Sequence, residues 1–167
     1  MNNMNTSWHQ SWQQQVKKEN REVVLFRNGE IRRADIMIDG RIIELQHSKI
    51  TKEQVEERER FYGSSNLIWL FDYTQNRGRL VISRPDHKET GVCWVEHYWR
   101  RKNETAALCK GEVCFDMGDD TIVVIHKMDL NHEEGCPLIP VAQCLTYDFF
   151  RYWYLTPRAE RNPNGPP

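Results

Sequence analysis

Glu22-Val23-Val24-Leu25-Phe26-Arg27-Asn28-Gly29-Glu30-Ile31-Arg32-Arg33-Ala34-Asp35-Ile36-Met37-Ile38-Asp39-Gly40-Arg41-Ile42-Ile43-Glu44-Leu45-Gln46-His47 decides the fold, because two turn signals cut it into three strand-like segments. Asn-Gly and Asp-Gly dipeptides between apolar runs favour two-residue hairpin turns, since both central residues must take positive φ. Strands are therefore expected over Glu22–Arg27, Ile31–Ile38 and Arg41–His47. If Asp39-Gly40 is a two-residue turn, Ile38 faces Arg41, and the pairing counts outward to Asp35 opposite Glu44 and Arg33 opposite Gln46. Directly opposed residues of an antiparallel pair have Cβ atoms about 4.5–5.5 Å apart. The two carboxylates are thus expected side by side on one face, with Ala34, Ile36, Ile38, Ile43 and Leu45 on the other as a core surface. The same counting through Asn28-Gly29 sets Glu22 opposite Asp35 and gives an acidic row of Glu22, Asp35 and Glu44.

Working outward, Ser7-x-x-Gln10 has the form of a capping box, and Trp8, Trp12 and Val16 follow at four-residue spacing. This predicts a first helix with an apolar stripe. Thr51-x-x-Gln54 opens a second predicted helix through about Tyr62, which Gly63 ends. Asn66–Asp72 is nearly continuously apolar and reads as a buried strand. A helix separates it from the third strand, so it can lie parallel in the same sheet. Further on, Arg79–Ser83 and Thr121–His126 read as strands and Val141–Tyr154 as an aromatic-rich helix, while residues 85–118 carry no clear pattern. The expected class is α/β: a mixed central sheet, made of a three-strand antiparallel meander plus a strand after a crossover helix, flanked by helices. Residues 1–155 are expected to form a single domain, and 156–167, rich in proline, asparagine and glycine, a disordered tail.

Composition excludes several classes. At 167 residues, with 39% hydrophobic and 28% charged residues, the chain has the make-up of an ordinary globular domain. It contains neither an apolar run of the roughly 20 residues needed to span a bilayer nor a signal-peptide pattern, so a cytoplasmic protein with no membrane partner is expected. The five cysteines are irregularly spaced without a CxxC. Buried free thiols are expected, with zinc held by them and His97, His126 or His132 as the lesser reading. The net charge of −1 provides no whole-protein field for nucleic acid. Local basic runs, Lys17 to Arg33 and Arg100-Arg101-Lys102, are usually solvated faces and by themselves point weakly to phosphate.

Two like charges directly opposed across a strand pair repel unless something positive lies between them. Local geometry leaves two readings open. One is a hard divalent cation such as Mg²⁺ on oxygen ligands; the other is a solvated hairpin face on which Arg33 neutralises the pair.

Five short motifs in order narrow the choice. Trp8-His9-x-x-Trp12, Arg33-Ala34-Asp35-Ile36, Ile43-Glu44-Leu45-Gln46-His47-Ser48, Glu57-Arg58 followed by Phe61-Tyr62, and Ile68-Trp69 resemble the competence protein CoiA-like nuclease family. The resemblance runs from about Trp8 to Asp72, roughly two-fifths of the chain. It implies the PD-(D/E)XK superfamily and its restriction-endonuclease-like core, with Asp35 and Glu44 as catalytic metal ligands for Mg²⁺ or Mn²⁺ and Gln46 in the place usually held by lysine. Gln13 departs from the lysine common in that family. The activity implied is hydrolysis of DNA phosphodiester bonds in bacterial or phage recombination, transformation or defence, with a homodimer or a recombination or defence protein as partner. On that reading Gln46 orients water, Arg33 contacts a substrate phosphate, and Glu22, His9 and Arg58 are accessory residues. His47, on the core side by parity, is expected to make a structural hydrogen bond. The alternatives are a catalytically decayed nucleic-acid-binding module and a protein-interaction scaffold of the same fold.

Overall fold

A computed structural model describes residues 6–75, 80–82, 92–99, 105–129 and 138–165. The fold is mixed α/β. Its strands are β1 (Arg21–Arg27), β2 (Glu30–Ile38), β3 (Arg41–Gln46), β4 (Leu67–Asp72), β5 (Leu80–Ile82), β6 (Val92–Trp99), β7 (Glu112–Gly118), β8 (Thr121–Asp129) and β9 (Leu138–Leu145). They lie in the order β1-β2-β3-β4-β7-β8-β9-β6-β5. β3–β4 and β4–β7 are parallel and the other pairs antiparallel. The helices are α1 (Thr6–Gln13), α2 (Lys52–Tyr62) and α3 (Tyr147–Phe150), the last continuing as a π turn over Arg151–Leu155.

The meander follows the turn chemistry. Asn28 and Gly29, and Asp39 and Gly40, all have positive φ, and the ladders close as Arg27–Glu30 and Ile38–Arg41. α2 is held at its start by both bonds of the Thr51–Gln54 capping box, and Gly63 ends it at φ +83°. α1 already contains Thr6, so Ser7 is not its N-cap, and Val16 is buried in the turn beyond the helix.

Both faces of the central strands are covered. On one, α2 packs Val55, Phe61 and Tyr62 with Ala34, Ile42, Trp69, Phe71 and Phe115. On the other, Trp12, Val16, Phe150 and Leu155 pack with Ile36, Ile38, Ile43, Leu45, Ile68 and Leu70. Three sequence expectations change here. Ala34 belongs to the α2 side and Ile36 to the α1 side, so side-chain alternation along β2 breaks at Asp35. Its counterpart Glu22 has φ +52°, a conformation rare outside glycine and a local irregularity in the edge strand at this point. The reading of a solvated hairpin face also fails, because that face is covered, with Ile42 fully buried and Glu44 only 3% exposed. Finally, Val141–Leu145 belongs to β9, between β8 and β6, and only the four residues after the Thr146 cap are α-helical. An interior strand lacks the polar alternation that would have distinguished it from a buried helix.

Residues 156–165 carry a 3-10 turn over Arg158–Glu160. The Arg158 backbone N–H donates to Asp39 Oδ2 at 2.7 Å, and Lys17 Nζ pairs with Glu160 at 2.6 Å. Among the described residues no helix is long and apolar enough to cross a membrane, and Cys109, Cys114 and Cys144 are not joined in disulfides. His97, His126 and His132, read as lesser zinc candidates, and the basic run Arg100-Arg101-Lys102 fall outside the residues described in side-chain detail.

Candidate metal centre

The β2–β3 ladder stops at Ile36–Ile43. Beyond it the Asp35 side chain replaces the backbone: Oδ2 accepts the Leu45 N–H at 2.8 Å. Oδ1 meets His9 Nε2 of α1 at 3.0 Å. The Asp35 carboxylate therefore sits where two strands part and the first helix closes over them. Gln13, one turn further along α1, donates to Glu22 Oε1 and to the Asp35 carbonyl, and Arg33 Nε pairs with Glu22 Oε2 at 2.6 Å. Single ligand atoms of His9, Glu22 and Asp35 all lie within 4.8 Å of one another.

Glu44 stands apart from that triplet, on the α2 side. Arg58 Nη1, two turns into α2, donates to Glu44 Oε2 at 2.8 Å and to Gln46 Oε1 at 3.5 Å. Glu44 Oε1 is buried without a hydrogen bond of good geometry. Burial first, then the charge of Asp35, pushes the Glu44 carboxyl up to about 7, against the opposing pull of Arg58, the Tyr62 hydroxyl and the Asp35 backbone N–H. His9 moves upward too, chiefly through its bond to Asp35 and against the cost of burial, with smaller contributions from the charges of Asp35, Glu22 and Glu44. Burial and the Glu44 charge also raise the Tyr62 phenol. An open cleft of about 370 Å³ runs over Asp35, Glu44, Gln46, His9, Arg33 and Arg58.

The structure thus gathers all seven residues singled out from the sequence, in two groups. His9, Glu22, Arg33 and Asp35 form one, and Glu44, Gln46 and Arg58 the other, with the charges of Asp35 and Glu44 acting on each other between them. Neither the opposition of Asp35 to Glu44 nor that of Arg33 to Gln46 is part of the ladder, because the strands separate after Ile36–Ile43. The Gln46 amide instead donates to the Ser48 carbonyl. His47, expected on the core side, is exposed and pairs with Asp72 Oδ2.

Sequence reasoning missed Asp116, which fixes α1 in place. This buried carboxylate accepts from Trp8 Nε1 at 2.8 Å, Trp12 Nε1 at 3.0 Å, the Tyr147 hydroxyl at 2.6 Å and the Gly118 N–H at 2.8 Å. A lone acid inside the apolar run Val113-Cys114-Phe115-Asp116-Met117 was the available signal, since buried charges are retained where they are paired or hydrogen-bonded. Glu59 plays a similar part for α2, accepting from Trp69 Nε1 and from the Lys110 and Gly111 N–H groups.

The donor set fits a hard divalent cation. Two carboxylates and an imidazole, those of Glu22, Asp35 and His9, converge, and beside them one Glu44 oxygen is buried without a well-formed hydrogen bond, which is costly unless a cation or proton answers it. Comparison with known proteins adds nothing: no family model, curated protein or solved structure matches the chain.

Proposed function

We propose that the protein is a metal-dependent nuclease that hydrolyses DNA phosphodiester bonds in bacterial or phage DNA processing. On this proposal it is a CoiA-like member of the PD-(D/E)XK superfamily with a restriction-endonuclease-like core. The observation that carries the reading is the buried, poorly answered Glu44 oxygen beside Asp35. The position agrees with it, because Glu44 and Gln46 lie at the carboxyl ends of the parallel strands, where open α/β sheets bind ligands. A cytoplasmic setting is part of the same reading.

Asp35 and Glu44 would hold Mg²⁺ or Mn²⁺, and Glu22 and His9, which lie within 4.8 Å of Asp35 by their ligand atoms, would be further donors on the Asp35 side. The cation would supply Lewis acidity and positive charge at the phosphodiester. The protein's own groups do the rest. Asp35 is fixed in orientation by the Leu45 N–H and His9. Arg58 touches both Glu44 and Gln46 and provides the positive charge that Gln46, in the lysine position, cannot. Arg33, largely exposed on the rim, is placed to meet a neighbouring phosphate.

A decayed, binding-only site is the second reading, favoured by the engagement of Gln46 with Ser48 and Arg58. Incubation of linear, circular, single-stranded, branched and RNA substrates with Mg²⁺, Mn²⁺ or EDTA separates the two. Cleavage that EDTA abolishes supports the nuclease; tight binding without cleavage under any metal replaces it with the module.

A further inference from the structure

At the opposite end of the parallel strands from Glu44, the N-terminal residues of β3, β4 and β7 border a second groove of about 710 Å³. Arg41, Lys110 and Arg161 line it together with Trp153, Tyr154 and Glu112. The π turn contributes Trp153 and Tyr154 to its wall. Arg41 Nη2 and Arg161 Nη2 both donate to the Trp153 carbonyl, at 3.0 and 2.7 Å. Arg161 lies over the Trp153 ring and Arg41 over that of Tyr154. Two guanidinium groups are therefore drawn to one carbonyl oxygen.

Arg161 Nε donates to the Thr156 carbonyl at 3.1 Å, but the positive charge of Arg41 is incompletely answered. Arg41 Nε is buried with no hydrogen bond. Burial, and then the charges of Arg161 and Arg158, disfavour the charged Arg41 guanidinium, with Tyr154 and Asp39 in partial opposition. Lys110 is exposed at the rim. Arginines held together against their mutual repulsion, with a donor left buried and unused, suit an oxyanion carrying more than one charge. The groove is much larger than such an anion, and Trp153, 44% exposed, offers it an aromatic surface.

We propose that this groove binds a nucleoside 5′-phosphate, either free or as the phosphorylated 5′ end of a strand, with its phosphate on Arg41 and Arg161 and its base against Trp153. The inference is independent of the metal centre and stands or falls without it.

Titration calorimetry of the full chain in EDTA with AMP, adenosine, pyrophosphate and short oligonucleotides bearing a 5′-phosphate or a 5′-hydroxyl tests it. AMP or the 5′-phosphorylated oligonucleotide should bind, whereas adenosine and the 5′-hydroxyl strand should bind at least about tenfold more weakly, as expected for loss of charge-assisted contacts. Arg41→Gln and Arg161→Gln should each weaken binding by a similar factor, and Trp153→Ala should weaken AMP without weakening pyrophosphate. Saturable binding of AMP identifies a free nucleotide as ligand; binding confined to the phosphorylated strand identifies the terminus. Should Arg41→Gln fail to fold, Arg161→Gln and Lys110→Gln decide. The proposal is overturned if neither phosphorylated probe binds the wild type, or if they bind these variants as tightly as the wild type.

Discussion

Arg58 Nη1 donates to Glu44 Oε2 at 2.8 Å while Glu44 Oε1, on the same carboxylate, is buried without a well-formed hydrogen bond. The pair joins α2 to β3 and leaves one half of a buried acid poorly answered. That asymmetry ties the stability of the fold to the chemistry of the site.

Removing Arg58 should expose the cost of burying Glu44. Breaking a buried ion pair by deleting one partner costs about 3–5 kcal/mol, and Arg58 is itself partly exposed, so about 1–3 kcal/mol is expected for Arg58→Met. Urea unfolding at pH 8 measures it. The double variant Arg58→Met/Glu44→Gln should recover much of the loss; no recovery would show that Arg58 stabilises by packing on Trp69 instead.

The same carboxyl gives a pH dependence. Its folded value, about 7, lies above the ordinary 4.5, so its contribution is fully present below about pH 4.5 and declines as pH rises through about 7. The decline is on the order of 3 kcal/mol. His9, raised above its ordinary 6.5 mainly by Asp35, contributes stability below that pH and loses it as pH rises through its higher folded value. In metal-free buffer Glu44→Gln should flatten the stability profile between pH 4.5 and 7, and His9→Gln should flatten the part above 6.5.

A divalent cation should reverse the alkaline loss. Mg²⁺ or Mn²⁺ is expected to raise the melting temperature of the wild type at pH 8, in proportion to the logarithm of cation concentration once the site saturates. Asp35→Asn and Glu44→Gln should each abolish the increase. An undiminished increase in both variants would remove these residues from the ligand set.

Asp116 tests whether α1 is needed to build the site. Asp116→Asn keeps the shape but places an amide among four donors, so at least one of Trp8, Trp12, Tyr147 and Gly118 loses its acceptor. A loss of about 2–4 kcal/mol is expected, measured by urea unfolding. Cation affinity should fall with it, because His9 lies on the helix that Asp116 holds.

The meander was legible because Asn28-Gly29 and Asp39-Gly40 leave little freedom of register, and the ladders close as the turns require. The accessory place of Arg58 came from the family resemblance at Glu57-Arg58, since the helix pattern alone leaves it a surface arginine. The break at Asp35 was not legible, since it depends on the positive φ of Glu22 and on Leu45 taking a side-chain acceptor in place of a ladder partner. Neither has a signature in residue type. Nor could parity show that Glu44 would be buried, because the cover comes from α2 crossing over the face that hairpin patterning left polar. The anchoring of α1 by Asp116 joins residues more than a hundred positions apart and required the three-dimensional structure.

The central claim is tested most directly by measuring DNA cleavage and DNA binding side by side for the wild type and Asp35→Asn, in Mg²⁺ and in EDTA. The account predicts cleavage by the wild type in Mg²⁺ alone, and an Asp35→Asn protein that folds and binds DNA but does not cut it. Cleavage by Asp35→Asn at the wild-type rate, or cleavage that persists in EDTA, would contradict it.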